Sequence, residues 1–150
     1  MEESYWKYVE PIWNSVSIYN DGKVFVEQFS KLTEKEKVLF SAHWAQSEIL
    51  NGGLGQFFSN STGVLAPEAV EAFIKLGMPT SAKAIKDAML FFGEPYPRER
   101  SLREKVFEEF FKKFDENIIP MEEQENIVAD GIEEESGGFE VAANLFASKC

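Results

Sequence analysis

The chain has 150 residues, of which 44% are apolar, and this length and composition are typical of one globular domain with its own core. The formal net charge of −11 disfavours direct binding to nucleic acid or to an anionic membrane surface, since both carry negative charge. The only cysteine is Cys150, so the fold does not depend on an intramolecular disulfide, and no apolar run is long enough for a membrane span; we therefore expect a cytoplasmic protein.

Apolar residues recur at helical spacing along the chain, and glycine, proline or asparagine interrupts them at helix-sized intervals. The predicted helices cover about residues 4–18, 23–29, 33–50, 67–76, 80–92, 98–114, 121–135 and 139–147. No segment between turn signals alternates apolar and polar residues as a half-buried strand does. The sequence therefore predicts an all-α fold, in which residues 1–150 form a single irregular bundle of about six to eight helices. The side chains expected to share its core are Trp44, Ile49, Phe57, Phe58, Phe73 and Phe91.

Two capping boxes mark helix starts most clearly. In a capping box a hydroxyl side chain accepts a hydrogen bond from the amide three residues later, and the glutamate at that position reaches back. The first box pairs Thr33 with Glu36, and the second pairs Ser101 with Glu104. Thr80 is predicted to cap the helix that begins between them.

The chain lacks the residue patterns of the common enzyme classes. His43 is the only histidine, so no histidine pair can bind a metal ion or relay a proton, and its place beside Trp44 favours the edge of the core. Cys150 is expected to lie at a frayed terminus, a poor place for a nucleophile that needs a fixed base. A phosphate-binding lysine loop, a Cys-x-x-Cys pair and a Gly-x-Ser-x-Gly turn are all missing. We therefore expect no catalytic residue, no metal ion and no cofactor.

The most unusual segment is residues 51–63, in which three glycines fall within four positions. Glycine permits backbone angles that other residues avoid, and it lets main chains approach closely. The favoured interpretation is a structural connection between helices, anchored by Phe57 and Phe58. Replacing Gly52 by valine is then expected to destabilise the fold, because a β-branched residue resists positive φ. The alternative is a polar binding site formed by the amide and hydroxyl side chains of the same segment.

The residues that stand out in this segment are Asn51, Gly52, Gly53, Gln56, Phe57, Phe58, Asn60, Ser61 and Gly63. Together they resemble the signature of the DNA mimic protein 19 family of bacteria, and we call residues 51–63 the signature segment. The resemblance covers about residues 23–115, with Leu54 where the family usually has an aromatic residue, while the C-terminal third matches little. It implies a helical, acidic protein that imitates DNA and occupies a DNA-binding regulator.

Acidic residues concentrate in the C-terminal third, where no Lys or Arg lies between Lys113 and Lys149. Seven carboxylates fall on the helix predicted over residues 121–135 and form the expected partner surface: Glu122, Glu123, Glu125, Asp130, Glu133, Glu134 and Glu135. They give roughly one charge per 3 Å of helix axis, close to the ~3.4 Å between phosphates of one DNA strand. The alternative is a solvated surface that keeps the protein soluble.

Three hypotheses for function follow from these patterns. The first is a non-enzymatic acidic protein that binds a basic protein, namely a DNA-binding regulator, in place of DNA. The second is an interaction or immunity-type module whose acidity is incidental and whose contact is the glycine-rich signature segment. The third is a hydrolase or ligand-binding protein with a polar pocket near residues 51–62. The sequence leaves open whether the chain forms a homodimer.

Overall fold

A computed structural model describes residues 4–114 and 117–149 of the chain. Within these ranges the chain forms eight α-helices, short 3-10 turns and no strand, which confirms the predicted all-α fold. The helices are α1 Trp6–Val9, α2 Gly22–Ser30, α3 Glu34–Ser59, α4 Ala66–Lys75, α5 Pro79–Met89, α6 Arg100–Lys113, α7 Glu122–Glu134 and α8 Phe139–Ser148. Cys150, discussed above, lies outside the described ranges, as do Asp115 and Glu116 of the acidic C-terminal third. No described helix is both long enough and apolar enough to cross a membrane.

Helix α3 is the central element, and α1, α4, α6, α7 and α8 all pack against it. It begins at the first predicted capping box, in which the Thr33 hydroxyl accepts from the Glu36 amide at 3.2 Å and the Glu36 carboxylate accepts from the Thr33 amide at 2.9 Å. Both partners lie within one turn of the same helix, so the local sequence was sufficient to predict this start.

The predicted end of this helix at residues 51–53 is wrong in part. The backbone leaves the helical conformation at Gly53 alone, where φ is 79° and ψ is −175°, and it resumes the helix as far as Ser59. The segment that the sequence predicted as a loop is therefore a kinked helix followed by a 3-10 turn over Ser61–Leu65. At the N-terminus of the chain the sequence predicted more helix than forms. Within residues 4–18 the only helical elements are α1 and the 3-10 turn Glu10–Ile12.

Two predicted helix caps do not form, and only one of them is replaced by a residue distant in the sequence. Helix α5 begins at Pro79 rather than after a Thr80 cap, and the Thr80 amide donates to a carboxylate of Glu135. The second capping box is also absent, since α6 begins after Glu99 and the Glu104 carboxylate pairs with Arg100 at 2.8 Å.

The predicted core residues lie in one hydrophobic cluster that receives side chains from α1 through α8. Ile49, Phe57, Phe58 and Phe73 are buried. Trp44 and Phe91 are only partly buried and pack against the edge of the same cluster. Full burial of a large apolar side chain contributes about 1.5–3 kcal/mol, so these aromatic residues supply much of the stability of the bundle.

His43 joins α1 to α3 within a cluster of aromatic rings. Its Nδ1 atom lies 2.8 Å from the Tyr5 hydroxyl, and the rings of Trp6 and Trp13 lie with their centroids 4.9 Å and 5.9 Å from the imidazole. The side chain is partly buried, as predicted for a residue at the edge of the core. Burial lowers the pKa of His43, because a charged imidazolium would lose its hydration there.

The lowered pKa of His43 predicts that the stability of the protein depends on pH through this residue. Below the unfolded pKa of about 6.5, the unfolded chain binds a proton that the folded chain does not, so the free energy of unfolding falls as pH decreases toward the lowered folded pKa. His43 is the only histidine, and we expect His43→Gln to flatten this dependence between about pH 7 and pH 5. Urea unfolding at several pH values checks it; a slope that the variant leaves unchanged contradicts it.

Candidate functional site

The polar side chains of the signature segment turn inward toward one carboxylate on α3. Glu48 accepts hydrogen bonds from the Gln56 amide, from the Asn60 amide at 3.4 Å and from the Thr62 hydroxyl at 3.1 Å. Asn51 stays exposed beside them, in a shallow depression that Trp44 also lines. The arrangement links the part of α3 that follows the kink, and the 3-10 turn after it, to Glu48 in the part that precedes the kink. The side-chain amides of Gln56 and Asn60 therefore already have a hydrogen-bond partner.

A buried arginine on α6 holds the main chain of the same segment. The Arg103 guanidinium is fully buried and donates to the carbonyls of Phe58 at 2.8 Å, Asn60 at 2.9 Å and Pro97 at 3.2 Å, and also to that of Arg98. The Phe58 carbonyl lies in the last turn of α3, where the guanidinium supplies a donor that the helix lacks, while the Asn60 carbonyl also accepts from the Gly63 amide at 3.2 Å. Burial lowers the pKa of Arg103.

The last glycine of the signature makes room for this guanidinium. A Cβ atom on Gly63 would lie 2.6 Å from Nε of Arg103, closer than any real contact of that kind. The Gly63 carbonyl also accepts a hydrogen bond of 2.6 Å from the Tyr96 hydroxyl, and burial raises the pKa of Tyr96. Gly63 therefore has no room for a side chain beside Arg103.

A second arginine extends the fastening to α4. Arg98 donates to the Val64 carbonyl at 2.8 Å and forms a two-pronged pair with Glu68 at 2.7 Å and 2.8 Å. The hydrogen bond to Glu68 raises the pKa of Arg98. Because this pair is half-buried, it is screened less than a surface pair and fixes the direction in which the chain leaves the segment.

The sequence-based expectation of a positive φ at Gly52 is wrong. That conformation belongs to Gly53, not to Gly52. At Gly52 a Cβ atom would instead meet the Gln56 side chain, with its Cβ only 2.8 Å away. Valine at Gly52 is still expected to destabilise the protein, but by displacing Gln56 from its place near Glu48 rather than by backbone strain.

Helix α7 reaches the kink in α3 through one carboxylate. Glu125 accepts from the Leu54 amide at 2.9 Å, and so caps the helical segment that resumes after Gly53. A Cβ atom on Gly53 would overlap the same Glu125 oxygen. Gly53 is therefore needed for the backbone angle and for the approach of α7.

The seven carboxylates predicted as a partner surface separate into two groups. Glu125 and Glu135 are half-buried and bind the amides of other helices. Glu135 accepts from the Thr80 amide at 2.7 Å, the Ser81 amide at 2.8 Å and the Ser81 hydroxyl at 2.7 Å. Burial alone would raise the pKa of Glu135, but these hydrogen bonds outweigh it and place the pKa below its ordinary value. Both residues therefore stabilise the fold at α3 and α5.

This division predicts different costs for two neighbouring substitutions. Glu135→Ala removes three hydrogen bonds at the start of α5, and we expect the free energy of unfolding to fall by about 1–2 kcal/mol. Glu134→Ala serves as the matched control, since Glu134 is exposed and its loss should change stability by no more than ~0.5 kcal/mol. Urea unfolding of both variants gives the comparison, and equal costs would refute the separation into two groups.

The other five carboxylates are exposed and share one side of α7. At about 100° per residue they fall within an arc of about 120°, opposite the side that packs on α5 and buries Val128, Gly131 and Ile132. We did not predict from the sequence that these charges would lie on one side of the helix. We call these residues the acidic face: Glu122, Glu123, Asp130, Glu133 and Glu134.

The acidic face spans about 18 Å along the axis, or about one carboxylate per 4 Å, somewhat sparser than the seven-residue estimate. Its surroundings add further negative charge, because Glu140 at the start of α8 lines the same groove as Glu133. The nearby Lys83 is already bound to Asp87 at 2.7 Å, and this hydrogen bond raises the pKa of Lys83, with a smaller contribution from Glu123.

Several residues of this site carry no sequence signal of their own, Glu48 and Arg98 among them. Arg103 did carry one, because it shares a helical stripe with Phe107, Phe110 and Phe114, where an arginine must find buried partners. Among the residues that the structure describes, no group of three His, Cys, Asp or Glu side chains could hold a metal ion.

A family model described as DMP19-like protein matches residues 30–140 of the chain. The match agrees with the resemblance that the signature segment indicates. It also extends past residue 115 through α7, and so includes a C-terminal region in which the sequence alone indicated little similarity. Comparison with curated proteins and with solved structures gives no match.

Proposed function

The chain belongs to the DMP19-like protein family, and we propose that it is a non-enzymatic bacterial protein that binds a basic protein in place of DNA. The partner would be a DNA-binding regulator, whose basic surface would bind the acidic face instead of the phosphate backbone of DNA. Its place of action would be the cytoplasm, where such regulators bind DNA. The observation that carries this proposal is the acidic face itself, five exposed carboxylates on one side of α7.

The mechanism would be electrostatic competition. The five carboxylates average about one per 4 Å of helix axis, which is a charge density near that of one phosphate per ~3.4 Å of a single strand. They fall in two groups about 10 Å apart, Glu122 with Glu123 and Asp130 with Glu133 and Glu134. Long-range attraction between the two surfaces raises the rate of association, and salt screens it over ~8 Å at physiological ionic strength. Because α5 and α3 hold α7 through Glu135 and Glu125, the face is fixed in place before binding, which reduces the entropy lost on association.

The experiment compares the wild type with two variants of equal charge. The face variant changes four residues of the acidic face to glutamine: Glu122, Glu123, Glu133 and Glu134. The control variant changes four exposed residues elsewhere to glutamine: Glu10, Glu27, Glu71 and Glu94. Both alter the formal net charge of −11 by the same four units.

Each protein is immobilised and used to capture partners from a bacterial cytoplasm at low and at high salt. We expect the wild type and the control variant to retain the same basic DNA-binding protein at low salt, and the face variant to lose it. Capture of a partner that is not basic, or equal capture by the face variant, would contradict the proposal and favour an interaction module whose acidity is incidental.

A further inference from the structure

A groove of about 580 Å³, with more apolar than polar surface, lies between α6 and the signature segment and borders the hydrogen bond from Leu54 to Glu125. Phe111 and Ile119 line it although 47% and 50% of their surfaces are exposed, and Phe107 forms its buried side. Exposed apolar side chains that converge on one groove are typical of a protein-binding surface. The remaining lining residues are Gly52, Gly55, Ser59, Glu104, Glu108, Pro120 and Glu125.

Gly55 shows that the floor of the groove is open. It is helical, it needs no positive φ, and a Cβ atom on it would meet no other atom within 4 Å. Alanine would stabilise a helix at such a position by about 0.5–1 kcal/mol, so the fold itself does not explain the glycine. Its absent side chain exposes the α3 backbone to anything that enters the groove.

The negative charges around the groove favour a positively charged occupant. Glu104, Glu108 and Glu125 all line it, and within residues 4–114 and 117–149 the one positive side chain seen to pair with them is Arg100, which binds Glu104. Glu108 has no such pairing among the described contacts, and only one oxygen of Glu125 is used by Leu54. A second copy of this acidic chain would bring like charge to the groove, whereas a cationic segment would be attracted to it.

We propose that this groove binds a basic amphipathic segment of the partner protein, with an apolar anchor side chain between Phe111 and Ile119 and lysine or arginine beside Glu108 and Glu125. The inference rests on the proposed function and adds a second contact to it. Glu122 of the acidic face lies one helical turn from Glu125, so one partner can cover both surfaces. The apolar anchor would supply short-range affinity, and the acidic face would supply the attraction at a distance.

The test uses a synthetic helical peptide with leucine on one side and lysine on the other, and a second peptide with glutamate in place of lysine. Binding is followed by NMR shifts of the backbone amides. We expect the lysine peptide to shift Gly52, Gly55 and Ile119, and the glutamate peptide to shift none of them. Gly55→Leu, which fills the groove without changing any charge, should weaken binding at least about tenfold.

The face variant separates this inference from the proposed function, since it should still show the shifts in the groove. Gly55→Ala is the control for the helix itself and should bind within a few fold of the wild type. Undiminished binding by Gly55→Leu, shifts confined to the acidic face, equal binding of the glutamate peptide, or no binding at all would each overturn the inference. A change in oligomeric state on Gly55→Leu substitution would also overturn it, in favour of a second copy as the occupant.

Discussion

Replacing Gly53 by alanine is expected to lower the free energy of unfolding by about 3 kcal/mol. The residue has φ of 79° and ψ of −175°, a conformation that is essentially confined to glycine and costs other residues on the order of 1–3 kcal/mol. The added methyl group would also overlap the Glu125 carboxylate and displace it from the Leu54 amide. Loss of that hydrogen bond contributes about another 1 kcal/mol.

Gly55→Ala is the matched control, because it adds the same methyl group two residues further along the same helix. There the backbone is helical and the space is open, so we expect a stabilisation of about 0.5–1 kcal/mol. Urea unfolding followed by circular dichroism measures both variants. If the two substitutions change stability in the same direction and by similar amounts, Gly53 has no special role at the kink.

The second large effect is expected at Arg103. Methionine has a similar length but no donors, so Arg103→Met removes the donor to the buried Phe58 carbonyl and to the part-buried Pro97 carbonyl. The Asn60 carbonyl would keep only the hydrogen bond from the Gly63 amide. Each buried acceptor without a partner costs about 1–3 kcal/mol, and relaxation of the segment will recover part of this. We expect a net loss of about 3–5 kcal/mol, a large fraction of the 5–15 kcal/mol typical of whole proteins.

Arg100→Met tests whether the effect is specific to the buried guanidinium. Arg100 lies on the same helix and is exposed, where it pairs with Glu104 and donates to the Ser59 carbonyl at 2.9 Å. Its loss should cost no more than about 1 kcal/mol. Thermal and urea unfolding of the two variants should differ clearly, and comparable stabilities would mean that the segment does not depend on Arg103.

The helices could be predicted from the sequence because their signals are local. Apolar spacing and breakers lie within each helix, and the Thr33–Glu36 box lies within one turn. One of the two caps that were predicted wrongly is supplied from far along the chain. Glu135 takes the place expected for Thr80 at the start of α5, a separation of 55 residues that no local pattern encodes.

The acidic partner surface was predicted from the composition of the C-terminal third, and the structure then showed which of its residues are exposed. The concentration of carboxylates after residue 120 was visible in the sequence, and five of the seven selected residues are exposed on one side of α7. The roles of Glu125 and Glu135 could not be predicted, because they depend on which amides α3 and α5 bring to α7. Burial and hydrogen bonding, rather than charge alone, distinguish residues that hold the fold from those free to meet a partner.

The most direct measurement of the central claim is the dissociation constant of the captured partner as a function of salt concentration. For the wild type and the control variant, we expect affinity to fall steeply as salt rises, because exposed charges are then screened from one another. For the face variant, we expect an affinity on the order of tenfold lower at low salt and a shallower dependence on salt. If all three proteins give the same affinity and the same salt dependence, the acidic face does not bind the partner and the proposed function is wrong.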